Sequence, residues 1–351
     1  MKIIHCADIH LGSKIDSKFS KEVSESRKQE VRNSFKRMVD YARAEKIEVI
    51  LLAGDVFDSD KPFKKDKDFF FSVIENNPQI DFLYLCGNHD AEGERRTLAN
   101  LKTFSSDWTS YDYEDVTVSG VELTRENCAA IYSTLSLNPV RKNVVMLHGQ
   151  IGDSLGKDKI NLGKLREKSI DYLALGHIHE YSSGKLDDRG TYAYCGCLEG
   201  RGFDETGEKG FIVVDVSERI THAFVPFSEC KIVKVQLDVT GLSDAYAVSL
   251  RAREIKFERK NIYRLELIGE VDAHIDSLAD DVKKYLASEC EFLDVKDRTR
   301  KRIDVSAYAG DASLKGEFVR AVCASGEFTD EEKAQIVAYG LKALGGREVE
   351  A

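Results

Sequence analysis

Five short segments of the chain gather the side chains that bind divalent cations. They are Asp8-x-His10, Gly54-Asp55-Val56-Phe57-Asp58, Gly87-Asn88-His89-Asp90, His148-Gly149 and Gly176-His177-Ile178-His179, and they hold five of the eight histidines. Imidazoles and carboxylates on a rigid frame can hold a metal that activates water, which is the chemistry of hydrolysis. A lone D-x-H or H-G is most often a capped turn or a satisfied core histidine, so no single segment carries the argument. Their recurrence in this order, each at the end of an apolar run, does. His5, His222 and His274 have no such partners and read as structural or solvated.

The frame such ligands need is supplied by the carboxyl ends of buried strands. Runs rich in β-branched and aliphatic residues precede the five segments: Lys2–Ala7, Val49–Ala53, Phe82–Cys86, Val144–Leu147 and Tyr172–Leu175. They lack polar alternation, which predicts strands covered on both faces. Between the first two, Val31, Phe35, Met38, Val39 and Ala42 recur at helical spacing and predict a helix from Ser26 to Ala44. Val116 to Ser133 reads as short strands without helix, and Tyr192–Tyr194, Phe211–Val216 and Ile220–Val225 add more strands. An α/β layer structure with two sheets fits this order better than one doubly wound sheet. Gly54, Gly87, Gly149 and Gly176 flank the polar residues where the backbone must turn sharply or approach an ion.

From about Cys230 the pattern restarts as strand (Ile232–Val239), helix (Ser243–Lys256), strand (Ile262–Ile268), helix (Ile275–Ala287) and strand (Glu291–Val295). This predicts a first domain over residues 1–228 and a smaller α/β domain over 229–351. A last helix is expected from Asp330 to Leu344, opened by the capping box Thr329-x-x-Glu332 and stopped by Gly345-Gly346. Its stripe of Ala334, Val337, Leu341 and Leu344 favours packing on its own domain.

Composition bounds the rest. At 351 residues the chain can bury two cores, and 42% hydrophobic with 32% charged residues is ordinary globular usage. A formal charge of −10 excludes a surface coated in positive charge for general nucleic-acid or membrane binding, while leaving room for a local basic groove. Eight cysteines without a C-x-x-C pair read as reduced and buried, and make zinc-finger chemistry a poor fit. Asp8 and His10 interrupt what would be a signal peptide's apolar stretch, and no apolar run is long enough to span a membrane. The expected location is the cytoplasm.

The series of segments resembles the calcineurin-like metallophosphoesterase superfamily, and within it the DNA-repair nuclease branch typified by the bacterial SbcD subunit and its YhaO-like relatives. The features that select this branch are K-I-I-H-C-A-D-I-H-L-G at the start, G-D-V-F-D-S without an Arg after Asp58, Asp90 in G-N-H-D, and C-L-E-G-R-G-F-D-E-T-G-E-K-G over residues 197–210. The likeness covers about residues 1–228; the second domain is similar to that branch's DNA-capping domain only in position and element order.

The resemblance implies a four-layer α-β-β-α sandwich with a smaller C-terminal α/β capping domain. It implies one cation on Asp8, His10, Asp55 and His179 and another on Asp55, Asn88, His148 and His177, with Asp55 bridging and a hydroxide shared between the two. Manganese is the expected metal, with iron, zinc or magnesium as competitors. His89 would protonate the leaving oxygen and Asp58 would orient its ring, while Asp90 serves equally well as a turn-stabilising acceptor. The implied activity is manganese-dependent hydrolysis of DNA in repair and recombination, as a 3′ to 5′ double-strand exonuclease and single-strand endonuclease. A phosphodiesterase for small nucleotides would use the same site, and a non-catalytic scaffold would not be expected to keep every ligand.

For DNA contacts, a helical wheel over Val248–Lys260 places Arg253, Lys256 and Lys260 on one flank, and Arg298, Arg300, Lys301 and Arg302 form a second basic cluster. Interspersed Glu254, Glu258, Asp294 and Asp297 also suit an ordinary solvated surface. Partners implied by the resemblance are a coiled-coil, ABC-type ATPase of the SbcC kind and a second copy of the chain, joined through helices near Lys64–Glu75 and Glu92–Phe104. Phe69, Phe70 and Phe71 would give that surface, or else belong to the core.

Overall fold

The computed structural model describes residues 1–15, 19–90, 96–154, 156–272, 277–302 and 305–344. The chain divides into two compact units, Met1–Val233 and Lys234–Ala351.

In the first unit, one six-stranded sheet has the order Thr221–Pro226, Gly210–Asp215, Lys2–Cys6, Val49–Ala53, Asp81–Leu85, Leu101–Thr103. Its last four strands are parallel. The other sheet, also six-stranded, runs Ser182–Lys185, Thr191–Tyr194, Tyr172–Gly176, Lys142–His148, Val116–Gly120, Thr109–Tyr113, with its four central strands parallel. All five expected site strands are therefore present, and they occupy the middle of the two sheets.

The unbroken apolar runs have a direct cause in this layering. Ile4, Cys6, Ile50, Leu52, Phe82 and Tyr84 pack with Val31, Phe35, Met38 and Phe70 of the helices Lys21–Ala44 and Lys64–Glu75. The alternate residues Ile3, Val49, Leu51, Leu83 and Leu85 meet Val144, Met146, Tyr172 and Ala174 of the second sheet. Both faces are dry, so these strands are filled mainly by apolar side chains, with His5 a buried polar residue among them. Beyond the second sheet, Val145, Leu147, Leu173 and Leu175 pack with Ile131, Tyr132 and Leu165. The fourth layer is thin, made of the one-turn helix Ile131–Thr134, the 3₁₀ turn Leu162–Lys164 and loops. Val116–Ser133 thus ends in a helical turn that its strand-like composition did not predict.

The first helix starts at Lys21, earlier than the apolar spacing shows, because the Ser20 hydroxyl caps it by accepting from the Val23 amide at 3.3 Å. Its first turn is polar and adds nothing to the periodic signal. The expected helix over Glu92–Phe104 is corrected: among its described residues, 96–104, Leu101–Thr103 is a strand paired in parallel with Phe82–Tyr84. Phe70 and Phe71 are core residues and Phe69 packs against them, so this triplet is not a free apolar surface.

The second unit is built on a three-stranded sheet of Ile232–Asp238, Ile262–Ile268 and Phe292–Asp297, with the helices Ala245–Ala252 and Leu278–Leu286 packed on one another. Its first strand begins at the division between the units, whereas the sequence pattern placed the boundary at 228. The helix expected over Ser243–Lys256 ends at Ala252, passes into a 3₁₀ turn at Arg253–Ile255 and stops at Lys256, whose φ of 55° is left-handed. Arg253, Lys256 and Lys260 consequently do not share a helix flank. The helix Leu314–Ala324 was not foreseen; it packs with Asp330–Leu344, where Val337 is buried and Leu344 is exposed. Thr329 and Glu332 form the expected capping box, each amide donating to the other's side chain. Gly345 and Gly346 lie outside the described residues, as does His274.

Candidate metal centre

The five polar segments meet at the carboxyl edges of the two sheets. After Lys2–Cys6 and Val49–Ala53 the two chains stay paired: the Asp8 amide donates to the Gly54 carbonyl and the His10 amide to the Asp55 carbonyl, both at 3.0 Å. Asp8, His10 and Asp55 all take left-handed φ values of 51–52°, and His177 has φ 99°. Four non-glycine residues with positive φ at one spot mark a backbone bent to aim side chains, at a cost that a site can justify and a loop does not need. Gly54 and Gly87 make the convergence possible. A Cβ on Gly54 would lie 2.1 Å from His148 Nδ1, and one on Gly87 would lie 2.1 Å from Asp55 Oδ1.

Two groups of ligand atoms result: Asp8, His10 and His179, and Asp55, His148 and His177. In the first, Nε2 of His10 and of His179 are 3.1 Å apart, and Asp8 Oδ1 is 3.8 Å from His179 Nε2. In the second, Asn88 Oδ1 lies 3.1 Å from His148 Nε2 and 3.0 Å from His177 Nδ1. Asp55 Oδ2 connects the groups, 3.4 Å from His148 Nε2 and 3.8 Å from His10 Nε2. All seven residues expected as ligands are therefore brought together.

The outward ring nitrogens are held in ways that orient the inward ones. His148 Nδ1 is 2.9 Å from the Ala53 carbonyl oxygen, and His179 Nδ1 is 2.7 Å from Glu205 Oε1. Asp58 Oδ1 lies 3.0 Å from His10 Nδ1, out of line for a full hydrogen bond. The contacts of His148 Nδ1 to the Ala53 carbonyl and of His179 Nδ1 to Glu205 turn Nε2 of each ring inward, the arrangement of imidazole ligands to metals.

The electrostatics agree. Burial, opposed by Asp58, lowers His10 to about 4, and burial with the neighbouring His148 charge lowers His177, so both stay neutral at physiological pH. Burial raises Asp8 to about 6, against the pull of His148 and His179. Burial also opposes ionisation of Asp55, but the hydrogen bond and charge of His148 hold it well below the ordinary carboxylate range. Burial works against a charge on His148 too, yet Asp55 and Asp8 raise it to about 9, a measure of how strongly this pocket favours positive charge. A donor set of carboxylate and amide oxygens and imidazole nitrogens, gathered around two carboxylates and without thiolate, fits hard to borderline divalent cations.

His89 is exposed beside this cluster; its amide donates to Asp55 Oδ1 at 2.9 Å and its ring packs edge-on to His10. Asp58 contacts His10 Nδ1 and Arg201 Nη1, the latter at 3.1 Å, and its charge also interacts with His89. Asp90 is buried and accepts from the amides of Val56, Phe57 and Gly87, which makes it the fastener of two ligand loops. Glu205 and Arg201 are the site residues that motif reasoning passed over. They lie in the 197–210 segment, whose composition is distinctive but whose charged residues have no spacing that points to His179. Among the expected DNA contacts, Arg253 pairs with Glu289 and Arg298 with Glu266, while Lys256, Lys260 and Arg300 are exposed. The side chains of Lys301 and Arg302 lie outside the described residues.

Paired carboxylate–histidine groups at the carboxyl edge of a two-sheet sandwich define a metallophosphoesterase, a family whose members hydrolyse phosphate esters with two divalent cations. Residues 1–181 match the calcineurin-like phosphoesterase family, and the chain belongs to it. Its relatives include proteins named for DNA repair and nuclease action. The chain is 29% identical to the uncharacterized metallophosphoesterase YhaO of Bacillus subtilis, over 71% of this chain and 65% of that one. It is 22% identical to the DNA double-strand break repair protein Mre11 of Sulfolobus acidocaldarius, over 96% and 94% of the two chains. With the SbcD component of the nuclease SbcCD of Staphylococcus epidermidis it shares 23% identity, over 75% of this chain and 77% of the relative. Among the described residues no helix is long and apolar enough to cross a membrane.

Proposed function

We propose that this phosphoesterase is a DNA phosphodiesterase of the repair and recombination machinery, using manganese at both groups. The observation that carries the two-cation reading is the position of Asp55 Oδ2 between His148 Nε2 and His10 Nε2. A carboxylate within reach of both groups can serve both at once. The substrate assignment is supported by the match to the Sulfolobus acidocaldarius repair protein, which runs through the second unit as well as the first.

Bound divalent cations supply Lewis acidity that lowers the pKa of water and neutralises charge on the phosphate. The chain supplies the rest. Asp8, His10 and His179 would hold one ion and Asn88, His148 and His177 the other, with Asp55 within reach of both. His89, exposed next to Asp55, is the proton donor to the leaving oxygen. Asp58 acts on His10 and, through its charge, on His89. The action is 3′ to 5′ on duplex ends and endonucleolytic on single strands. Arg253, Lys256, Lys260, Arg298, Arg300, Lys301 and Arg302 are the proposed contacts to backbone phosphates, in a capping unit over 229–351. The protein works in the cytoplasm as a homodimer with a coiled-coil ATPase.

Presenting linear duplex DNA, circular single strands and a cyclic dinucleotide to the manganese-loaded protein tests the substrate. Mononucleotides from the duplex and nicked circles are expected. Hydrolysis of the cyclic dinucleotide with no product from either DNA would replace this function with small-nucleotide turnover.

A further inference from the structure

We infer that Arg201 is a positioning residue that ties His10 to His179 across the two sheets and thereby sets the cation affinity of the Asp8, His10 and His179 group; this rests on the metal-site reading above. His10 follows a strand of the first sheet and His179 a strand of the second, so the main chain alone does not fix the distance between their rings. Arg201 Nη1 donates to Asp58 Oδ1 at 3.1 Å, and Asp58 Oδ1 is 3.0 Å from His10 Nδ1. On its other side Arg201 Nε donates to Glu205 Oε1 and Oε2, both at 3.1 Å, and Glu205 Oε1 accepts from His179 Nδ1 at 2.7 Å. With the 3.1 Å approach of the two Nε2 atoms, the five side chains close a ring around one ligand group.

The ring is anchored to the scaffold. The Arg201 amide donates to Glu205 Oε2 at 2.7 Å, and Lys209 Nζ donates to the His179 carbonyl at 2.8 Å. Two residues before Arg201, Glu199 accepts from Ser34 Oγ at 2.6 Å and from the buried Arg27 at 3.2 Å, both on the first helix. Arg201 is not placed as a phosphate clamp, because its guanidinium is engaged by Asp58, Glu205 and His179, the last with Nη2 3.0 Å from Nδ1, and the side chain is only 14% exposed. Among the described residues the second group shows no comparable strut: His148 Nδ1 meets a main-chain carbonyl.

Geometry and charge predict opposite outcomes here, which makes the inference testable. A guanidinium beside a cation repels it, so if Arg201 acted through charge alone, Arg201→Gln would tighten metal binding and Arg201→Lys would leave it unchanged. A strut must span two carboxylates, which a lysine ammonium does not do. The experiment is titration of chelator-stripped protein with manganese, followed by calorimetry and by the electron paramagnetic resonance of bound ion, with melting in chelator as the folding control. Arg201→Lys and Arg201→Gln are both expected to weaken one of two manganese sites, by about 10- to 100-fold as for other groups that orient metal ligands, and to leave the other close to wild type. Glu205→Gln, which keeps an acceptor for His179 but loses the charge facing Arg201, provides a second route to the same loss should the Arg201 variants not fold. Arg201→Lys that binds two ions like the wild type, or Arg201→Gln that binds them more tightly, overturns the inference. A wild type that binds no manganese removes the metal-site reading itself and the inference with it.

Discussion

The Nε2 atoms of His10 and His179 approach to 3.1 Å although the residues are 169 positions apart and belong to different sheets. Each ring has a carboxylate at its other nitrogen, Asp58 for His10 and Glu205 for His179. With their Nδ1 protons directed at those carboxylates, both rings would offer Nε2 to a cation held between them.

Asp55 and His89 are adjacent in space and differ in role. Asp55→Ala is expected to abolish binding of at least one manganese equivalent and all cleavage. His89→Ala should retain both equivalents while slowing DNA cleavage by about 10²- to 10⁴-fold, the range for loss of a general acid. Metal analysis beside single-turnover kinetics checks the pair. Wild-type cleavage by His89→Ala would remove the acid role.

Gly87 should tolerate no side chain. Its Cβ would sit 2.1 Å from Asp55 Oδ1 and 2.5 Å from the Asp55 amide nitrogen, neither of which can move without disturbing both ligand groups. Gly87→Ala is expected to lose manganese affinity as Asp55→Ala does, with a stability loss of about 1–3 kcal/mol from overpacking. Metal titration and denaturant unfolding in chelator measure the two effects separately.

Asp90 fastens the loops without touching the ligand atoms. Asp90→Ala strands three buried amides and should destabilise the chelator-treated protein by about 1–3 kcal/mol. Thermal melting reads this directly. Burial raises the Asp90 carboxyl to about 6, so its native form binds a proton more tightly than the unfolded chain does, and its own titration subtracts stability as pH rises from about 4 to 6.

His5 predicts the opposite slope. It is fully buried, with Nδ1 2.9 Å from the Tyr172 hydroxyl, and burial lowers it to about 3. The folded state keeps it neutral while the unfolded chain takes up a proton below about 6.5, so the stability is complete above that pH and is lost as pH falls toward 3. The full contribution is about 5 kcal/mol at most. Urea unfolding at a series of pH values should show a shallower decline between pH 6.5 and 4 for His5→Gln than for the wild type.

How much of this was legible beforehand follows from what each residue answers to. Val49–Ala53 and Tyr172–Gly176 are buried on both faces, so their composition announces strands, and the first polar residue after each run must be where the chain emerges at the sheet edge. That is why Asp55 and His177 could be found from sequence. Glu205 and Arg201 could not, because they act on His179 and Asp58 from an irregular loop, and only tertiary folding brings them there. The contacts of Asp58 to His10 and Arg201 were hidden for the same reason: its sequence neighbours do not reveal which side chains it meets. The helical wheel through Lys260 failed at Lys256, where one left-handed residue ends the helix and no proline or glycine warns of it.

The central claim is tested most directly by digesting end-labelled linear duplex DNA in parallel with manganese, with magnesium and with chelator. Shortening of the labelled strand from its 3′ end with manganese, and none with chelator, is the predicted result. Cleavage that persists in chelator, or intact DNA in all three, would contradict the account.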